Sequence, residues 1–228
     1  EIGDDDNSDP YYYGCSLIDL IANTKGQELA CHSYSHYYCL EPGQTLDTFR
    51  ADIESFIAIA KSSGAAIKSI VFPRNQMTPE HIAICAELGI TAYRGNPTGY
   101  IYSKQSKAET TPLVRIGRLL DSVLPIDGMH GHDMPVKSGG AVNVPASRFL
   151  RPLKPKLSFY TALHLRRIKA EMKHAAKYGK LYHLWWHPHN FGRHMAYNLK
   201  ALESLLAYYE TLSERYGMRS ASMGAFTG

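Results

Sequence analysis

Helical and extended periods alternate through the first half of this chain, and no other feature narrows its fold as much. Leu17, Ile18, Leu20 and Ile21 gather on one side of a segment that begins at Tyr11 and closes at Lys25-Gly26, glycine being the usual left-handed stop. The short apolar run Glu28 to Cys31 follows and ends at His32, as a buried strand does before a polar loop. Thr45 then caps a helix whose apolar positions Leu46, Phe49, Ile53, Ile57 and Ala60 recur at helical spacing up to Gly64. Ile67 to Phe72 is β-branched and closed by Pro73, which cannot donate to a sheet ladder. Thr78-Pro79-Glu80 supplies a capping hydroxyl, a proline at the first helical position and an acid in the first turn of a helix ending at Leu88-Gly89. Gly89 to Tyr93 reads as the next strand. Such alternation builds parallel sheets or barrels with helices outside them, so the chain is expected to be α/β.

The regular pattern then lapses. From Asn96 to Lys156 the chain is rich in Gly, Pro and Ser, broken by one apolar stretch from Leu113 to Leu124. An irregular segment of that length is usually functional or mobile. A helix is expected over Tyr160 to Lys177, stopped by Gly179, and the aromatic run Leu181 to Trp186 reads as a strand. Leu199, Leu202, Leu206, Tyr209, Leu212 and Tyr216 mark a long amphipathic helix closed by Gly217, with Met218 to Met223 as a last strand. Residues 1–10 hold four aspartates and little that is apolar, too little to offset ordering entropy, so they are expected to be a flexible tail. Residues 11–228 are then a single domain, a fair size for one core.

Composition excludes several classes of function. The 25 Lys+Arg against 21 Asp+Glu give a net charge of +4, dispersed along the chain, where a nucleic-acid binder would show a basic stripe. No run approaches the roughly 18 consecutive apolar residues of a membrane helix, and the acidic start is unlike an export signal, so a cytoplasmic location is expected. Four cysteines without C-x-x-C spacing read as reduced, mostly buried thiols.

The chemistry gathers where strands are expected to end. His32-Ser33-Tyr34-Ser35-His36 puts both imidazoles on one face if the segment is a helical turn. Neutral imidazoles bind zinc well, and two of them form most of a site that keeps a position open for water; two solvated loop histidines are the alternative. Trp185-Trp186-His187-Pro188-His189-Asn190 places a general acid or base, with its pKa near neutrality, beside indoles able to stack on sugar faces. The same residues also suit core bulk and loop hydrogen bonding. At Phe72-Pro73-Arg74-Asn75, the arginine suits a carboxylate or an oxyanion and the amide a substrate hydroxyl, unless both are surface residues of a turn. Sites in parallel α/β folds collect at the carboxyl ends of strands, which is where all three clusters fall.

These segments resemble the polysaccharide deacetylases, the NodB-homology group of carbohydrate esterases. His32-Ser33-x-x-His36, Phe72-Pro73-Arg74 and Trp185-Trp186-His187 look like its second, third and fifth motifs. The longer strings Ser69 to Gln76 (SIVFPRNQ), Thr91 to Gly95 (TAYRG) and His183 to Gly192 (HLWWHPHNFG) are similar to a bacterial branch of it. The resemblance spans about residues 10 to 226. It implies a distorted (β/α) barrel and metal-dependent removal of an acetyl group from an N-acetylated or O-acetylated sugar. The family's first motif, Thr-Phe-Asp-Asp, supplies a base and a third metal ligand, and these 228 residues do not contain it, so the first strand and helix are expected to be absent. The fourth motif also departs, with Tyr93-Arg94-Gly95, and Trp185 stands where the fifth has its acetyl-pocket leucine.

On this resemblance His32 and His36 hold a divalent metal, zinc by preference. His187 protonates the departing amine and Arg74 orients a carboxylate. Tyr93, Arg94, Asn75, Trp185, Trp186, His189 and Asn190 line a carbohydrate site. Two other readings remain open: a carbohydrate-binding or structural homologue without turnover, and a different metal-dependent hydrolase taking a ligand from His187 or His189. Carbohydrate is the expected partner; neither nucleic acid nor membrane is.

Overall fold

The computed structural model describes residues 2–10, 12–99, 101–102, 111–138 and 140–228. Its contacts divide the chain into two compact units. One comprises Glu1–Arg94, Lys137–Asn143 and Ala221–Gly228, the other Gly95–Val136 and Val144–Ser220.

In the first unit, α1 (Cys15–Ala22) forms where its apolar cluster predicts it but buries no residue. α2 (Leu46–Ser62) starts at a reciprocal capping box, with the Thr45 hydroxyl accepting from the Thr48 amide and the Thr48 hydroxyl from the Thr45 amide. β1 (Ser69–Ile70), α3 (Pro79–Glu87) and β2 (Ala92–Tyr93) follow. The sheet is completed by β3 (Lys137–Ser138) and β4 (Ala141–Asn143) in the order β1-β2-β4-β3. Ser69 pairs with Ala92 and Ala92 with Val142, both parallel, while β3 and β4 pair antiparallel. The strand expected over Glu28 to Cys31 reduces to one parallel bridge, Cys31 to Ile70. Phe49 and Ile53 of α2 pack with Cys31, Ile70, Phe72, Ile84, Cys85 and Ile90 into the core beneath this sheet. Burying a side chain such as Phe49 stabilises the unit by about 1.5–3 kcal/mol.

In the second unit, α4 (Pro112–Asp121) occupies the apolar stretch within the irregular segment, its first turn capped by the Thr111 hydroxyl. β5 (Arg148–Phe149) and β6 (Leu184–Trp185) pair in parallel, Phe149 opposite Trp185. Leu150, Ile168, Met172, Phe191, Leu205 and Leu212 form the core of α5 (Ser158–Lys177) and α6 (Met195–Tyr216). Gly217, at φ 69°, ends α6 in the left-handed conformation expected of it.

One expected strand does not form. Met218 to Met223 is irregular and leads into a 3-10 turn at Met223–Phe226, held by a bond from the Gly224 amide to Glu28 Oε2 at 2.8 Å. Arg219, Ser220 and Ser222 break any apolar alternation there. Among the described residues no helix is long and apolar enough to cross a membrane.

Candidate functional site

His32 follows Cys31 at the end of the single bridge to β1, and its Nδ1 lies 2.6 Å from the Val71 carbonyl. A carbonyl only accepts, so Nδ1 carries the proton and Nε2 keeps its lone pair. Desolvation of the ring, opposed by that hydrogen bond and helped by the charges of His36 and Arg94, holds the pKa of His32 below its ordinary value. The ring is therefore neutral at neutral pH, as a metal ligand must be. The His36 ring stands edge-on to it with centroids 5.0 Å apart.

The pairing is not that of a helical turn. Ser33 and His36 have left-handed backbones, with φ of 61° and 58°. The loop closes through the Tyr37 amide donating to Ser33 Oγ at 2.7 Å and the Ser33 amide donating to Cys31 Sγ at 3.3 Å. Asp52, on α2 and only 8% exposed, receives the Tyr34 amide at 2.8 Å, the Ser35 amide at 2.9 Å and the Ser35 hydroxyl at 2.5 Å. Burial, opposed by a backbone hydrogen bond and helped by the Asp52 charge, pushes the Cys31 and Cys39 thiols up to about 12. All four cysteines are free; Cys15 alone is exposed.

Arg74 and Asn75 occupy the turn after β1, and both again have left-handed backbones, φ 52° and 54°. Ser33, His36, Arg74 and Asn75 are all the non-glycine residues with positive φ among the described ones, and such strain collects at functional sites. The Arg74 guanidinium lies 3.9 Å from the centroid of Tyr38, whose ring meets that of His36 at 5.1 Å. Its Nη1 donates to Glu41 Oε1 at 3.0 Å, so the carboxylate that Arg74 engages comes from this chain. Arg94, 9% exposed at the end of β2, donates to Asn75 Oδ1 at 2.7 Å, and burial lowers its pKa to about 10. Tyr93 is half-buried against Phe72, and burial raises its pKa. The first unit thus brings His32, His36, Arg74, Asn75 and Arg94 together, with Tyr93 beside them.

Trp185, Trp186, His187, His189 and Asn190 belong to the second unit and form a cluster of their own. Phe149 packs on Trp185 at 4.5 Å, Trp185 meets His187 edge-on at 5.4 Å, and His187 stacks on His189 at 5.1 Å. Trp186, 36% exposed, stacks with Phe191 at 6.2 Å. The Asn190 amide returns to the His187 carbonyl at 3.0 Å. The strand end leads one to expect a partly buried His187, but the residue is exposed because Pro188 opens a 3-10 turn immediately after it.

The donor set of the first unit suits part of a zinc site. His32 offers a neutral, fixed Nε2 and His36 a second imidazole, while among the described residues no group of three His, Cys, Asp or Glu is arranged around one point. Sequence reasoning missed Asp52, Tyr38 and Glu41, which hold the loop and Arg74. Asp52 had a legible signal, being an acid one position before Ile53 on the apolar side of α2. The buried cluster of Asp121, Arg148, Arg167 and Glu171 in the second unit left no such mark. No family model, curated protein or solved structure matches the chain.

Proposed function

We propose that this chain is a metal-dependent deacetylase of the polysaccharide-deacetylase type, a distorted (β/α) barrel acting on an N-acetylated or O-acetylated sugar of a polysaccharide or glycan precursor. The observation that carries this reading is the imidazole pair His32 and His36, one ring locked in the metal-ligand tautomer by Val71, in a loop built on left-handed residues. The parallel pairing of β1, β2 and β4 and of β5 with β6 supports the (β/α) part of it.

In this reading His32 and His36 would hold a zinc ion. When bound, such an ion polarises an acyl carbonyl and lowers the pKa of water. Arg74, held between Tyr38 and Glu41, fixes a carboxylate in place, and Asn75 with Arg94 offers amide and guanidinium contacts to sugar hydroxyls. The ladder of Trp185, His187 and His189, with Trp186 beside it, suits pyranose faces, and an imidazole such as His187 is the kind of group that donates a proton to a leaving amine.

The absence of a third ligand among the described residues favours a second reading, a carbohydrate-binding homologue without turnover. One experiment separates the two. Zinc titration of the chain and of His32→Ala, run beside acetate release from acetylated chito-oligosaccharides, should show zinc binding that the substitution abolishes, together with acetate release. Sugar binding without acetate release selects the second reading, and equal zinc affinity in His32→Ala removes the pair from the site.

A further inference from the structure

We infer that Asp52 is a positioning residue, the group that fixes the 32–36 loop in the shape that presents both imidazoles. This rests on the metal-site reading above for its purpose, but its geometry stands independently. The Asp52 carboxylate is almost fully removed from solvent, and it accepts three hydrogen bonds from the two residues midway between His32 and His36. Oδ2 takes the Tyr34 amide, and Oδ1 takes both the amide and the hydroxyl of Ser35.

A carboxylate is costly to bury, and it is retained where it satisfies donors that nothing else reaches. Here those donors belong to a loop whose flanking residues, Ser33 and His36, sit in a backbone region that side chains disfavour. Without an acceptor at Oδ1 and Oδ2, the two amides would turn to water and the left-handed steps would relax. His36 would be displaced most. His32 is separately tied to Val71, whereas His36 is held by ring contacts with His32 and Tyr38. Asp52 sits between Phe49 and Ile53 in the core-facing part of α2, so the helix transmits the rigidity of the core to the loop.

The test compares the whole chain with Asp52→Asn, which keeps the size of the side chain but turns one acceptor into a donor, and with Ser35→Ala, which removes one of the three bonds. Amide hydrogen exchange is followed at Tyr34 and Ser35 and in α2, imidazole 15N shifts are recorded for His32 and His36, and cobalt(II) affinity is measured by its visible absorption. In Asp52→Asn, exchange at Tyr34 and Ser35 should rise at least tenfold, the His36 shifts should move more than those of His32, and α2 protection should persist. Cobalt affinity should fall by about 10–100-fold, the usual effect of losing a group that orients a ligand. Ser35→Ala should show the same changes to a smaller degree. Unchanged exchange and unchanged His36 shifts in both variants would overturn the proposal. If the unaltered chain binds no cobalt, the metal reading falls, while the exchange and shift measurements still decide whether Asp52 fixes the loop.

Discussion

Single residues show two ways of fixing a histidine ring in this molecule, one exposed and one buried. His32 gives one ring nitrogen to a carbonyl and keeps the other available, whereas His164 has both nitrogens engaged. Its Nδ1 donates to the Ser122 carbonyl at 2.8 Å, and its Nε2 accepts the Arg151 amide at 3.4 Å. That arrangement requires the neutral ring. Burial, against the pull of the Ser122 carbonyl and with the charges of Arg148 and Arg151, lowers its pKa from the ordinary 6.5 to about 4. As pH falls below 6.5 the unfolded chain takes up this proton first, so the stability His164 contributes is complete above 6.5 and is lost progressively down to about 4. A shift of that size corresponds to roughly 3 kcal/mol. Denaturant unfolding at pH 7, 5.5 and 4 should therefore show a steeper loss of stability in the unaltered chain than in His164→Gln. Parallel pH profiles would assign the loss elsewhere, since His32, His81 and His132 are shifted in the same direction. Residue identity alone made the imidazole pair and Arg74 legible in the sequence. It could not show that Glu41 and Asp52 would be their partners, because those contacts depend on where α2 and the following loops return in space.

The elements most readable in the sequence were those that carry their own signals. α2 begins at Thr45, where a reciprocal pair of hydroxyl and amide bonds satisfies two amides left open by the first turn, and the Thr45 carbonyl also accepts the Tyr37 hydroxyl at 3.0 Å. Thr45→Ala should lower stability by about 1 kcal/mol with Thr45→Ser recovering most of it, as read from the denaturation midpoint; an alanine variant as stable as the original would show that Thr48 and Tyr37 suffice as the cap. α4 carried the same kind of signal, Thr111-Pro112, as Thr78-Pro79 does for α3, but the polar residues around it hid its period. The strands were harder to read because each is only two or three residues long. β4 follows a glycine, and β5 lies among Pro145, Ser147 and Pro152, so neither shows alternation. β5 depends on β6, 36 residues on, and β4 on β2, 50 residues back, as well as on its short hairpin with β3, so much of the cause is non-local and no short window of sequence contains it.

At the scale of the whole molecule, the chain passes between its two units at 94–95, 136–137, 143–144 and 220–221, so the irregular segment contributes to both. Both units have an apolar core, and the second also gathers four buried formal charges against one another. Arg148 donates to Glu171 at 2.6 and 2.7 Å and to Asp121 Oδ2 at 3.0 Å, and Arg167 meets Glu171 at 2.9 Å. All four side chains are 3% exposed or less, and two guanidiniums balance two carboxylates. Tyr102 and His130 complete the surroundings of Asp121, and Tyr182 donates to Glu171 at 2.9 Å. Burial alone would raise the pKa of Asp121, but the His130 ring, the Asp127 amide and the Arg148 guanidinium together hold it below the usual carboxylate range. Such a cluster is costly to form and costlier to break, because removing one member leaves its partners charged and dry. Arg148→Met should accordingly destabilise the protein by about 3–5 kcal/mol, measured by denaturant unfolding at pH 7. Pairing it with Glu171→Leu restores the balance of charge, leaving Arg167 with Asp121, and should recover a large part of the loss. A double variant as unstable as Arg148→Met alone would mean that the shape of the guanidinium, rather than its charge, is what the second unit requires.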